Sequence, residues 1–160
     1  MKKHHHLVCL FMLVSLYVLP PALQADQAVS LSRGEMIYVP AYSHIYGGNS
    51  EKPFLLTVTL SIRNIDPRYR INVTVADYYD SQGKLLKKYI DKPVVLKPLE
   101  SLRYVIPERD VSGGSGANFV VEWTADDSVN PPLVESIMIG TQLQQGVSFT
   151  SRGRVVVAPR

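Results

Sequence analysis

Ser43 and the adjacent His44 are the nearest thing in this 160-residue chain to a nucleophile and its base. Neighbours in an extended segment point to opposite faces, which leaves the pair badly placed for the hydrogen bond that activates a serine. The plainer reading puts His44 in an aromatic cluster with Tyr42 and Tyr46. Gly113-Gly114-Ser115-Gly116 raises the idea of a phosphate cradle. The phosphate-binding loop pattern needs a Lys followed by Ser or Thr and then a helix, whereas these glycines run into Asn118 and a strand. They read as a loop between strands that lets another backbone or a ligand come close. Asp77, Asp80, Asp126 and Asp127 could supply oxygen ligands for Ca²⁺ or a carboxylate pair for glycoside hydrolysis. Their spacing fits no calcium loop. Asp80 reads as a turn cap, and Asp126-Asp127 as a solvated strand end. Asp77 continues the inward series Ile71, Val73, Val75. A carboxylate there must be paired with Arg63 or Arg154, lie beyond a bulge, or sit at the sheet rim.

Tyr38, Tyr42, Tyr46, Tyr78 and Tyr79 form the largest group of one recognition-capable type. Tyrosine joins apolar area to a hydrogen-bonding tip, which suits contact surfaces, and it also favours strands. Most of these read as packing residues. Tyr42 and Tyr46, beside Gly47-Gly48-Asn49, are expected to be exposed. The candidate ligand or partner contacts are therefore Tyr42, His44, Tyr46, Asn49, Ser115 and Asn118. No catalytic residue, cofactor or metal is assigned.

The elements that must position these residues are strands. Phe54, Leu56, Val58, Leu60 and Ile62 alternate with Leu55, Thr57, Thr59, Ser61 and Arg63, the period of a strand with one face in a core. The same period runs through Ile71–Ala76, Leu102–Ile106, Asn118–Ala125 and Ser136–Gly140. Turn residues separate the runs: Asp66-Pro67-Arg68, Asp80-Ser81-Gln82-Gly83 with Gly83 at positive φ, Lys92-Pro93, Lys97-Pro98, Ser112–Gly116 and Asn130-Pro131-Pro132. Ser151-Arg152-Gly153 turns Val147–Phe149 into a last strand, Val155–Val157. No window has a helical period. The fold class is all-β, an immunoglobulin-like β-sandwich with Trp123 facing inward, forming a single domain over residues 26–160.

Residues 1–25 read as a signal peptide. Lys2 and Lys3 precede the uncharged apolar run Leu7–Leu19, Pro20-Pro21 stop a helix, and Ala25 ends a small-residue cleavage site. The run is shorter than the roughly 20 residues a membrane-spanning helix needs. Its removal takes the formal net charge from +3 to +1, along with Cys9 and every histidine but His44. Thiol nucleophiles are thereby excluded, and no basic stretch remains to recruit nucleic acid. The expected location is periplasmic or secreted, with no stable membrane anchor after cleavage.

Several stretches then combine. They are Tyr38-Val39-Pro40 with Tyr42–Tyr46, Leu60–Asn64, Asp77–Asp80, Gly113–Phe119 with Glu122-Trp123, Met138–Thr141, Gln145–Phe149 and Gly153-Arg154. Together they make the chain, from about Met36 to Val157, similar to the bacterial family catalogued as domain of unknown function 3124. The resemblance implies a secreted or periplasmic β domain and no particular activity.

The poverty of catalytic groups points to a non-catalytic binding or protein-interaction module, its partner an unidentified protein or small ligand of the envelope. Its contact surface would be the Tyr42–Asn49 and Ser112–Asn118 loops, provided both lie at one end of the sandwich. The alternatives are a periplasmic hydrolase using His44 or a carboxylate pair, and an assembly or chaperone factor that pairs a partner's strand through the Val155–Val157 edge.

Overall fold

The alternation along Thr57–Arg63 is realised in space. Val58, Leu60 and Ile62 are fully buried on one face, and Arg63 stands exposed on the other. Burying each such aliphatic side chain contributes about 1.5–3 kcal/mol, so a one-residue slip would expose the whole set. The computed structural model describes residues 30–49, 51–141 and 146–157. The expected signal peptide, its cleavage site and Cys9 lie outside these residues.

The strands are β1 (Ser32–Pro40), β2 (His44–Ile45), β3 (Phe54–Leu55), β4 (Thr57–Arg63), β5 (Ile71–Tyr79), β6 (Leu85–Lys88), β7 (Val94–Leu96), β8 (Ser101–Ile106), β9 (Asn118–Val129), β10 (Leu133–Gly140), β11 (Val147–Arg152) and β12 (Arg154–Val157). They form a six-stranded sheet in the order β12-β1-β9-β5-β6, with β7 also on β5. A four-stranded sheet runs β11-β10-β4-β8, and β2 pairs with β3 alone. The ladders β1–β9, β5–β9, β4–β8 and β4–β10 that form the centre of both sheets are antiparallel. One core lies between the two large sheets, filled by Trp123, Phe119 and Tyr78 of the first and Leu60, Ile62, Ile106 and Met138 of the second. Ser136, fully buried on β10, donates its hydroxyl across to the Pro40 carbonyl of β1. The molecule is thus an all-β sandwich. The strand order does not by itself single out the immunoglobulin arrangement.

Two local departures from simple alternation matter. On β5 the register against β9 shifts between Val73 and Val75, the mark of a bulge. The inward face passes from Ile71 and Val73 to Ala76 and Tyr78, so Val75 is half-buried rather than in the inward series. Asp77 therefore lies past the bulge on the opposite face, opposite Lys88 of β6. Neither Arg63 nor Arg154 forms an ion pair with it among the described residues. The last strand, β12, pairs with β1 of the other sheet and not with β11. Gly153 makes that crossing possible: a Cβ there would sit 2.5 Å from Ile37 Cγ2 and 3.1 Å from the Val134 carbonyl.

At the end of the sandwich where β4 hands over to β5, a polar knot replaces apolar packing. Asn64 donates through Nδ2 to the Tyr69, Leu96 and Lys97 carbonyls at 2.8–3.2 Å. Asp66, 3% exposed, accepts from the Arg68 and Tyr69 amides on Oδ1, and from the amide and side chain of Asn130 on Oδ2, all at 2.8–3.0 Å. The Asn130 amide above all, joined by the other three donors, holds the Asp66 carboxyl down at about 2, outweighing the burial that opposes it.

Candidate functional site

The opposite end of the sandwich gathers the loops that follow β1, β5 and β8. Ala41 donates its amide to the Ala117 carbonyl at 2.9 Å, and Ser43 donates its amide to the Gly114 carbonyl at 3.1 Å. The Ser43 hydroxyl donates to that same Gly114 carbonyl at 3.0 Å. From the other side, the amide and hydroxyl of Ser81 both donate to the Gly113 carbonyl, at 2.9 and 3.0 Å, and Ser81 Oγ accepts the Gly116 amide at 2.9 Å. The glycine-rich loop is clamped between the Ser43 segment and the β5–β6 turn. That turn is as its residues predict: Asp80 Oδ1 accepts the Gln82 and Lys84 amides, and Gly83 sits at φ 80.

The glycines answer to this packing. A Cβ on Gly113 would lie 1.8 Å from Tyr78 Oη and 2.8 Å from Ala117 Cβ. Gly114, at φ 80, would place one 2.5 Å from Ser81 Oγ. What comes close to these residues is the protein's own Tyr78 and Ser81. Tyr78 is stacked 5.0 Å from Phe119, and its hydroxyl is buried with no hydrogen-bond partner among the described residues. That burial, reinforced by Asp110, Tyr89 and Asp80, pushes its ionisation well above the ordinary tyrosine range.

One expectation needs correcting. Ser43 and His44 do meet: Ser43 Oγ lies 3.1 Å from His44 Nδ1. They belong to the short β2 segment and the residue leading into it, where the alternation of a long strand does not apply. A hydroxyl has one proton: in the tautomer with that of Ser43 on the Gly114 carbonyl, His44 donates from Nδ1, and in the other Ser43 donates to His44. In the first, His44 Nε2, 3.1 Å from Tyr46 Oη, is left to accept the tyrosine proton. Tyr46, His44, Ser43 and the Gly114 carbonyl then form a directional chain of hydrogen bonds. Ser43, fully buried, is a link in it.

The other predicted contacts are placed as follows. Tyr46 is 53% exposed and packs edge-on to His44, ring centroids 5.3 Å apart. Tyr42 is half-buried rather than exposed. Its ring meets Phe149 at 5.9 Å and not His44. Asn49 and Ser115 are exposed, and no polar contact joins either to His44 or Tyr46. Asn118 opens β9, in register with Pro40 on one side and Tyr79 on the other. Ser81 was missed, its turn having been read for geometry alone. Asp126 pairs with Arg70 at 3.2 Å, both side chains about two-thirds exposed, an ion pair worth little in water. Among the described residues no three of His, Cys, Asp or Glu are grouped so as to hold a metal ion.

Comparison with known proteins adds the following. The crystal structure of Thermotoga maritima 1070 is similar at 12% identity, covering 80% of this chain and 97% of that one with a TM-score of 0.46. No curated protein matches. The model of the family described as "Protein of unknown function (DUF3124)" matches residues 34–156, which takes in all the strands but the first two residues of β1 and the last of β12, and the chain belongs to that family.

Proposed function

We propose that the protein is an exported, non-catalytic binding module whose contact surface is the joined end of the sandwich, with Tyr46 and His44 at its centre and Asn49, Ser115 and Asn118 around it. One observation carries this reading: both donors of Ser43 end on the Gly114 carbonyl, so two loops distant in sequence form one surface. Tyr46 is held on that surface by its bond to His44 while more than half exposed. A fixed aromatic with a polar tip loses little conformational entropy on binding, which is why such residues anchor contacts. Export rests on the Lys2–Ala25 pattern of the sequence.

The test uses the full chain, expressed in the cells that make it. Wild type and the His44→Ala/Tyr46→Ala variant are recovered from the envelope fraction under mild crosslinking, with a Val105→Ala variant of the far sheet as control. Retention of a defined partner or small ligand by wild type and the control, and its loss from the double variant, is the expected result. Equal recovery from all three, or recovery only from the cytosol, rejects the reading.

A strand-edge role is the second reading, favoured by one feature. β12 stands at the edge of the six-stranded sheet with Val155, Val156 and Val157 each 45–55% exposed. Unpaired apolar edges are sites of strand addition. A Val156→Lys variant that loses the partner while His44→Ala/Tyr46→Ala retains it would favour this reading over the first.

A further inference from the structure

The outward face of the four-stranded sheet carries two arginines with no acidic partner. In the β4–β8 ladder Ser61 stands opposite Arg103, and Arg63 opposite Ser101. Directly opposed residues, and residues two apart on one strand, share a face, so all four side chains rise from the same side. The arginines occupy the diagonal of this square, where Cα atoms lie roughly 7–8 Å apart, a separation that two long side chains can close onto one small group. With Leu102 they line a groove of about 600 Å³ that no carboxylate enters.

Three features prepare the groove for an anion. Arg63 Nε donates to Ser61 Oγ at 3.1 Å, which orients the guanidinium while leaving its terminal nitrogens free. A planar fork held this way matches two oxygens of a phosphate, sulfate or carboxylate. Ser61 is only 6% exposed, and its hydroxyl accepts from Arg63 while its own proton finds no acceptor among the described residues. A ligand oxygen at the groove floor would accept that proton. Among the described residues Arg103 has neither an ion pair nor a hydrogen bond. The acid nearest in register, Glu135 on β10, stands beside Ser61 and directly opposite Arg152 of β11, and among the described residues it makes no ion pair with Arg63 or Arg103. Glu100, next along the chain, is engaged in its own turn through the Lys97 amide.

We propose that Arg63, Arg103, Ser61 and Ser101 form an oxyanion-binding site for a phosphate or sulfate group, on the sheet face and distinct from the loop surface at the other end of the sandwich. The group could be a free ion or the headgroup of an anionic phospholipid, and the test separates the two. Purified protein is titrated with inorganic phosphate, with sodium chloride at matched ionic strength, and with vesicles of phosphatidylcholine alone or mixed with phosphatidylglycerol. Binding is read by calorimetry for the ions and by co-sedimentation for the vesicles. The expected result is saturable binding of phosphate up to about 10 mM, or of the mixed vesicles, that chloride does not reproduce. Arg103→Gln and Ser61→Ala should each weaken it roughly tenfold, since each removes a donor to a charged acceptor. Arg103 makes no contact that the fold needs, and an unchanged melting temperature in Arg103→Gln verifies it. Phosphate binding identifies a free ion, and vesicle binding alone a headgroup. No saturable response to either, an equal response to chloride, or undiminished binding by Arg103→Gln overturns the proposal.

Discussion

Replacing Gly113 with Ala puts the clamp between the loops to a quantitative test. The added Cβ would fall 1.8 Å from Tyr78 Oη, 2.6 Å from Tyr78 Cζ and 2.8 Å from Ala117 Cβ. Tyr78 is 2% exposed and stacked on Phe119, so the ring cannot swing aside and the loop must move. Overpacking of this kind costs about 1–3 kcal/mol. Moving the loop also weakens the two bonds from Ser81 to the Gly113 carbonyl, at about 1 kcal/mol each. The sum is about 3–5 kcal/mol, which for a domain of this size lowers the melting temperature by roughly 10–20 °C. Tyr78→Phe supplies the partner for a double-mutant cycle. It deletes the atom that clashes first, and that atom is a buried hydroxyl without a partner among the described residues. Alone, Tyr78→Phe should be neutral or stabilising by up to about 1 kcal/mol. Combined with Gly113→Ala it should recover about 1 kcal/mol or more, although Cζ and Ala117 Cβ still crowd the methyl. Urea denaturation of the four proteins measures the coupling. A Gly113→Ala protein that melts within a degree or two of wild type, or strictly additive effects, would refute the account of this loop.

Three further outcomes follow from groups whose hydrogen bonds are accounted for. Asp66→Ala removes an acceptor of four hydrogen bonds and should cost about 3–5 kcal/mol by urea denaturation, with Asp66→Asn intermediate. Because the folded carboxyl titrates at about 2, below its ordinary 3.8, Asp66 stabilises the fold above about pH 4. That stability is lost as pH falls toward 2, and the loss should be absent from Asp66→Asn. Glu35 is the opposite case: burial pushes its carboxyl up, against the facing Trp123 indole and the Ser32 hydroxyl, and Oε2 and the indole nitrogen each lack a hydrogen bond among the described residues. A raised folded value favours the neutral acid, so Glu35→Gln should raise the urea midpoint at pH 7 and lose that advantage as pH drops below about 4.5. For His44, nitrogen NMR should find the proton on Nδ1 facing Ser43. A proton on Nε2 would put a lone pair on the serine and reopen the hydrolase reading.

How much of this was legible in the sequence depends on the range of the interaction. The strands and their inward faces were readable because burial imposes a period of two wherever a ladder runs undisturbed, as from Leu56 to Ile62 and from Phe119 to Trp123. The bulge at Val73–Val75 took Val75 out of the inward series and put Asp77 beyond it, one of the three placements its carboxylate called for, because a single extra residue reverses every face past it. The assignment of β12 to the opposite sheet from β11 was hidden for a related reason: Gly153 looks like a hairpin glycine, and its role is set by Ile37 and Val134 elsewhere in the chain. The knot of Asn64, Asp66 and Asn130 was read as two separate turns, since nothing in either turn names the other.

Ser43 and Ser61 show where sequence reading ends and accounting of donors begins. Both are buried serines, and each touches the side chain of a basic residue type. Ser43 sits beside a histidine and attracts a catalytic reading; Ser61 sits in an alternating strand and attracts none. The directions of their protons reverse that order of interest. Ser43, with its proton on Gly114, accepts from His44, so its hydroxyl is saturated and its work is to hold two loops together. Ser61 accepts from Arg63 and has a proton to spare, in a groove whose two guanidiniums meet no acid. A saturated polar group accounts for itself within the fold. An unsaturated one beside uncompensated charge is open to an outside partner, and that difference is what separates the oxyanion site proposed on the four-stranded face from the contact surface proposed at the joined loops.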